Sequence, residues 1–76
     1  MWVLIDNKYS KEFKFGYAEF ETVDRDDGDE WISVMYCITE DNELVVYFQY
    51  EFDEEDMLEV KKCLKEELKE NHIYEG

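Results

Sequence analysis

Residues 31–52, WISVMYCITEDNELVVYFQYEF, contain two alternating segments separated by a polar turn. In the first segment every second side chain is apolar, namely Ile32, Val34, Tyr36 and Ile38. In the second the alternating set is Leu44, Val46, Phe48, Tyr50 and Phe52. Alternation at period two is typical of half-buried strands. The short polar segment 40–43 between them predicts a hairpin of strands 31–39 and 44–52.

Upstream of this hairpin, residues 12–23 predict another strand, whose apolar side chains change parity beside Gly16. Because glycine tolerates irregular backbone, the change predicts a β-bulge at Gly16, or two shorter strands in place of one. The pair Asp27-Gly28 favours a tight turn into the hairpin. Residues 2–6 predict a short first strand, and residues 7–11 a turn.

The C-terminal stretch 54–71 changes to helical spacing. Its apolar residues recur every three or four positions, at Met57, Val60, Leu64 and Leu68, with Cys63 beside them. Asp53 is the expected N-cap, and Asp56 three residues later gives a weaker version of the capping box. Acids in the first turn and lysines toward the end suit the helix dipole.

The element order β-β-β-β-α predicts an α+β fold, in which one C-terminal helix packs on one face of a four-stranded antiparallel meander sheet. The 76 residues are expected to form a single domain, 1–76. No apolar run approaches the roughly 20 residues that span a bilayer, and the N-terminus lacks the features of a signal peptide. We therefore expect a cytoplasmic protein. Cys37 and Cys63 are expected to be free thiols, the alternatives being a disulfide or a shared metal site.

The charge is concentrated in one part of the sequence. The net charge is −14. Residues 15–60 contain sixteen acids and one base, Arg25, whereas 1–14 sum to +1 and 61–76 to zero. Such a chain repels free nucleic acid and anionic membranes, and attracts strongly basic surfaces. The alternative is that the acidity serves solubility, although about 2 to 8 charges suffice for a small domain.

We interpret this acidic block as a mimic of nucleic-acid phosphates. Same-face residues on a strand are about 6.6 to 6.8 Å apart, close to two phosphate intervals of about 3.4 Å along one DNA strand. The acidic residues expected to bind a partner are Glu19, Glu21, Asp24, Asp26, Asp27, Asp29, Glu30, Glu40, Asp41, Glu43, Glu51, Asp53, Glu54, Glu55 and Asp56. In length, charge and sheet-plus-helix plan the chain resembles small acidic phage inhibitors, which include DNA-mimic anti-CRISPR proteins, anti-restriction proteins and inhibitors of uracil-DNA glycosylase.

The resemblance implies a non-enzymatic inhibitor whose partner is a basic nucleic-acid-binding protein, such as a nuclease or a CRISPR effector. If the chain is phage-encoded, it acts in the host cytoplasm. The alternative is a homodimeric accessory module. We expect no direct binding of nucleic acid and none to membranes.

The sequence gives little support to catalysis or to a bound cofactor. His72 lies beside the expected helix end, and no nucleophile motif or glycine-rich phosphate loop is present. The segment that starts at Asp24 resembles a calcium loop, but Gly28 falls at position 5 instead of 6, and position 12 is Met35 instead of Glu. We expect no catalytic residue, no cofactor and no dedicated metal site; weak binding of Ca²⁺ or Mg²⁺ is the alternative.

The aromatic residues provide a second indication of a contact surface. The chain has six Tyr, five Phe and two Trp, more than one helix can cover. A single helix shields one face of a sheet, so Val45 and Tyr47 on the other face are expected to be exposed. Since Tyr and Trp are enriched at interface hot spots, Tyr47 joins the expected partner-binding residues. The alternative is that these rings pack against the first strand or against one another.

Overall fold

The fold of the protein, seen in a computed structural model, is a four-stranded antiparallel sheet with one C-terminal helix. The structure describes residues 1–23 and 30–74. The elements are β1 (Trp2–Ser10), β2 (Phe15–Thr22), β3 (Trp31–Ile38), β4 (Leu44–Phe48) and α1 (Glu54–Glu70). The strands are hydrogen-bonded in the order β1-β2-β3-β4. The predicted fold class, an α+β meander sheet followed by a helix, is confirmed.

The core lies between α1 and one face of the sheet. Strand β3 supplies its centre, because the alternation predicted from the sequence buries every second side chain. Helix α1 contributes the stripe expected from its spacing. The buried apolar residues of the described chain are Trp2, Ala18, Phe20, Ile32, Val34, Tyr36, Val60, Leu64, Leu68 and Tyr74.

Helix α1 begins after Asp53, as predicted, but the predicted capping box is not formed. The Asp53 side chain makes no capping hydrogen bond, although its carbonyl accepts the Met57 amide at 3.0 Å. The helix ends at Glu70, after which His72 adopts a left-handed φ of 59°. The amides of Ile73 and Tyr74 then donate to the carbonyl of Leu68, which folds the chain back so that Tyr74 is buried.

The irregularity predicted at Gly16 lies elsewhere. Strand β2 pairs regularly through Gly16, and the register shift falls in β1 between Leu4 and Asp6. The parity change in the sequence arises because Phe15 and Tyr17 lie on the sheet face away from the core, whereas Ala18 and Phe20 lie on the core face. Phe13 belongs to the turn at 11–14, which includes Lys14 at a φ of 53°, and not to the strand. Residues 7–10, predicted as a turn, continue β1. Their polar composition is tolerated because β1 is an edge strand.

Gly16 is required for close packing between strands. It pairs with Tyr9 on one side and Tyr36 on the other, and the two tyrosine rings stack with centroids 6.2 Å apart. The hydroxyl of the fully buried Tyr36 donates a hydrogen bond to Asn7 Oδ1. A side chain at position 16 would occupy the space of the Tyr36 ring. The predicted bulge or strand break at Gly16 is therefore wrong, and the glycine is instead required by packing between the strands.

The hairpin β3–β4 confirms the prediction for residues 40–43, while β4 is shorter than expected. It ends at Phe48 and not at Phe52. Residues 49–53 lead to the helix, and Phe52 packs edge-to-face against Phe48 with centroids 6.0 Å apart. The predicted turn at Asp27-Gly28 lies outside the described residues.

Candidate partner-binding surface

The face of the sheet that α1 does not cover is the first candidate surface, and we call it the open face. Alternation along β2, β3 and β4 places on it Phe15, Tyr17, Glu19, Glu21, Trp31, Ser33, Met35, Cys37, Val45 and Tyr47. The opposite parity of the same strands supplies the core. The sequence therefore assigns the core and the open face together.

Apolar side chains align in rows across the open face. The register pairs Tyr17 with Met35 and Met35 with Tyr47, which makes one row across three strands. Met35 is 50% exposed and Tyr47 is 59% exposed. A shallow depression of about 310 Å³ lies at this row and reaches Ser33 and Gln49. Exposure of Tyr47, predicted from the sequence, is confirmed, while Val45 is half-buried.

Tyr47 cannot pack against the first strand, which is one of the two alternatives to an exposed contact surface. Strands β1 and β4 are the two opposite edges of the sheet, separated by β2 and β3. Tyr47 and Met35 therefore lie on a surface that nothing in the described part of the chain covers.

Carboxylates occupy the same face next to aromatic rings. Tyr17 donates its hydroxyl to Glu19 Oε1 at 2.8 Å. Glu21 lies directly opposite Trp31, which is 58% exposed. Cross-strand neighbours of this kind have Cβ atoms about 4.5–5.5 Å apart. Two of the predicted partner-binding acids thus lie beside aromatic rings, Glu19 beside the half-buried Tyr17 and Glu21 beside the exposed Trp31.

A second group of predicted acids gathers at the end of the sheet where β2 ends, β3 begins and α1 begins; we call it the acidic end. Its predicted members in the described chain are Glu21, Glu30, Glu51, Asp53, Glu54, Glu55 and Asp56. Residues 22 and 30 are joined there by the amide of Thr22, which donates to the Glu30 carbonyl at 3.1 Å. The described residues of this end, 1–3, 20–23, 30–33 and 51–57, include no lysine or arginine. Their single cationic group is the Met1 ammonium, which donates to the Val23 carbonyl at 3.3 Å.

One acid of this group has a structural role. The indole Nε1 of Trp2 donates to Asp56 Oδ1 at 3.0 Å, and the Trp2 amide donates to Glu59 Oε1 at 3.3 Å. Trp2 is only 3% exposed. These bonds attach the start of β1 to the first turns of α1, so Asp56 and Glu59 stabilise the fold whether or not they contact a partner.

The acids of the β3–β4 turn are placed at the other end of the molecule. Glu40, Asp41 and Glu43 are exposed and follow the end of β3, an eight-residue strand. Such a strand is about 26 Å long. Glu40 borders a groove that is also lined by Lys11, Lys14 and His72. The acidic block that is continuous in sequence is therefore divided in space, and its turn acids lie in a region of mixed charge.

The predicted residues Asp24, Asp26, Asp27 and Asp29 lie outside the described residues, as does most of the calcium-loop resemblance. Within the described chain, no group of three or more His, Cys, Asp or Glu side chains is arranged to hold a metal ion. The two cysteines are free thiols on opposite sides of the sheet, since Cys37 belongs to the open face and Cys63 to the helix.

Within residues 1–23 and 30–74, two side chains have a clearly shifted pKa, and both shifts favour the neutral form. Burial raises the pKa of Tyr36 to about 12, partly offset by its hydrogen bond to Asn7. Burial likewise raises the pKa of the Cys63 thiol. A thiol or phenol that is harder to ionise is a poorer nucleophile or base at neutral pH.

Lysines line the opposite flank of the helix. Lys61 Nζ lies 5.9 Å from the centroid of the Phe48 ring, and Lys65 Nζ lies 6.0 Å from that of Tyr74. Together with Lys62 they border a groove of about 510 Å³ between β4 and α1. The molecule thus separates a lysine-rich flank from the acidic end.

Comparison of this chain with protein-family models, with curated proteins and with solved structures gives no match. In the described part of the chain, no helix has both the length and the apolar character needed to cross a bilayer. The functional interpretation therefore depends on the surfaces described above.

The sequence interpretation missed most of the open face. Of this face it named Glu19, Glu21, Val45 and Tyr47, but not Phe15, Trp31 or Met35, which are all exposed. The signal was present in the alternation of β3: if Ile32, Val34, Tyr36 and Ile38 face the core, the intervening side chains face away from it. The structural use of Asp56 gave no local signal, because its partner Trp2 is 54 residues away in sequence.

Proposed function

We propose that this protein is a non-enzymatic inhibitor that occupies a basic nucleic-acid-binding site on another protein. The favoured target is a host-defence or nucleic-acid-processing nuclease, such as a CRISPR effector. The protein presents carboxylates where the target normally receives phosphates. It binds no nucleic acid itself, because its own charge repels the polyanion.

The observation that carries this proposal is the composition of the acidic end. Seven predicted acids share this end of the sheet, and the described residues around them include no lysine or arginine. Acids gathered at one end of a molecule destabilise the compact state by mutual repulsion. A basic partner removes that repulsion, and it releases the anions that the target had bound, as counterions are released from DNA.

The first turn of α1 also supports the acidic end as the contact surface. Glu54, Glu55 and Asp56 occupy the first turn, where the helix dipole stabilises negative charge. Because α1 packs against the core through Val60 and Leu64, these carboxylates are carried by a rigid element. Rigid placement reduces the entropy lost on binding.

The experiment is a capture of the tagged protein from a host lysate, at low and at high salt, followed by competition with labelled DNA and RNA. We expect a nuclease or other nucleic-acid-binding protein to be captured at low salt, lost at high salt, and displaced from its nucleic acid. Simultaneous binding of the inhibitor and the nucleic acid to the target contradicts the proposal.

Two matched charge reversals identify the surface. The first variant changes three acids of the acidic end to Lys, namely Glu21, Glu54 and Glu55, and should abolish capture. The control changes three acids that lie near lysines, namely Glu12, Glu66 and Glu70, and should retain capture although it alters the net charge equally. Asp56 is left intact because it holds Trp2. Equal loss with both sets would indicate a response to net charge alone. Capture of no protein other than its own untagged copies would favour the accessory-module alternative.

A further inference from the structure

The open face combines carboxylates with aromatic rings, whereas a simple mimic of phosphates needs carboxylates alone. Glu19 is held beside the ring of Tyr17 by a 2.8 Å hydrogen bond, and Glu21 is the cross-strand neighbour of Trp31. Tyr47 and Met35 continue the ring-bearing row toward β4. Each carboxylate on β2 is thus adjacent to a flat aromatic ring on the same surface.

A carboxylate beside an aromatic ring binds the guanidinium of arginine better than the ammonium of lysine. The guanidinium of arginine is planar, stacks on aromatic rings and binds a carboxylate through two parallel hydrogen bonds. The ammonium of lysine is compact and strongly hydrated, and gains less from a ring. A guanidinium stacked on Trp31 would lie within reach of Glu21, and one stacked on Tyr17 within reach of Glu19.

We infer that the open face is the docking site for an arginine-rich surface of a basic partner protein. This inference rests on the proposed function and specifies the chemistry of its target. Arginine and aromatic side chains that stack on bases line grooves for single-stranded nucleic acid. The rings of the open face take the place of bases, and the adjacent carboxylates take the place of phosphates.

The charge of the molecule favours this occupant over a second copy of the chain. Two open faces packed together would bring Glu19 and Glu21 of both copies into one interface, between molecules that each carry −14. Like charges brought together in this way oppose association. A cationic partner gains from the same groups.

The size of the surface agrees with a contact site. Phe15, Trp31, Met35 and Tyr47 are each between 42% and 59% exposed. Since buried aromatic side chains each remove about 150–250 Å² from water, these four expose on the order of 400 Å². That is comparable with the largest apolar patch of a typical monomer, about 300–600 Å² and often functional.

The test compares octaarginine with octalysine, two peptides of equal charge, by titration into the ¹⁵N-labelled protein. We expect octaarginine to bind about fivefold or more tightly, since each stacked ring favours it modestly. Amide shifts should be largest at Tyr17, Met35 and Tyr47. Sedimentation of the free protein is measured in parallel, and a dimer whose interface is the open face would overturn the inference.

Variants locate the selectivity. Trp31→Ser combined with Tyr47→Ser should reduce the preference for octaarginine and leave octalysine binding unchanged. The control, Tyr50→Ser with Leu58→Ser, removes two apolar side chains that are at least as exposed but lie off the open face. Thermal melting establishes that each variant is folded.

The outcomes separate this inference from the proposed function. Equal affinity for the two peptides, with shifts confined to the acidic end, overturns the inference and leaves the proposed function standing. Absence of binding to either peptide at low salt overturns both.

Discussion

Replacing Gly16 by alanine should destabilise the protein strongly, although alanine is normally the better residue in a strand. Gly16 lies between Tyr9 and Tyr36 in the sheet, and the rings of both tyrosines meet over it. A Cβ atom at this position would be 2.7 Å from Cε1 of Tyr36 and closer still to its Cζ and hydroxyl. Ordinary contacts between such atoms are about 3.5–4.0 Å, so the ring would have to move.

The Tyr36 ring has little freedom to move. It is fully buried, it stacks on Tyr9, and its hydroxyl donates to Asn7. Overpacking of a core costs about 1–3 kcal/mol, and loss of the hydrogen bond costs about 1 kcal/mol more. The expected loss of about 2–4 kcal/mol is a large part of the total stability of a 76-residue domain, which is roughly 4–11 kcal/mol.

Urea unfolding followed by circular dichroism measures this loss. In the Tyr36→Val background the ring is absent, and Gly16→Ala should then cost little or be stabilising by up to about 1 kcal/mol, the usual advantage of alanine. The interaction energy of the double-mutant cycle therefore isolates the contact. Equal stability of Gly16→Ala and the wild type, or the same cost in both backgrounds, would refute the packing argument.

Three further predictions concern the fold. Asp56→Ala should lower the free energy of unfolding by about 1–3 kcal/mol because the buried indole of Trp2 loses this acceptor, while Asp56→Asn costs less and the exposed Glu55→Ala changes stability by under about 0.5 kcal/mol. Burial raises the pKa of Tyr36 from 10.0 to about 12. The contribution of the neutral phenol to the free energy of unfolding is therefore complete below pH 10 and is lost as pH rises from there through about 12. Tyr36→Phe should therefore flatten the fall of melting temperature in that range, and an unchanged profile would contradict the assignment. Leu64→Ala should cost about 2–5 kcal/mol by leaving a cavity, measured by urea unfolding, and a cost below 1 kcal/mol would mean that α1 is not tightly packed.

The fold was predictable because its central elements have strong local periodicity. In β3 each inward side chain is apolar, and in α1 Val60, Leu64 and Leu68 form one stripe, so both elements were placed within one residue of their observed bounds. The edges of the sheet were placed less well. Strand β1 extends to Ser10 through polar residues, because an edge strand meets water and needs no alternation there.

The candidate site was predictable only in part, for a different reason. The sequence shows that the acids lie in one block, but two acids of that block can be a strand length apart in space. Glu43 and Asp53 are ten residues apart in the chain, yet Glu43 lies in the turn after β3 and Asp53 at the start of α1, at opposite ends of the sheet. The pairing of Glu21 with Trp31 requires the register of β2 on β3, which the spacing of residues alone does not determine.

Some acids of this protein stabilise the fold, whereas others have no role in folding that the structure shows. Asp56 and Glu59 bind Trp2, and Glu54 and Glu55 gain from the helix dipole. Folding gives no comparable reason for Glu21, which is partly exposed beside Trp31 on the open face. The exposed indole of Trp31 lowers the solubility of the protein, and repulsion between the Glu21 carboxylate and the surrounding acids lowers its stability. Both costs are offset when a cation covers the pair, which is why the search for a partner should begin at the junction of the open face and the acidic end.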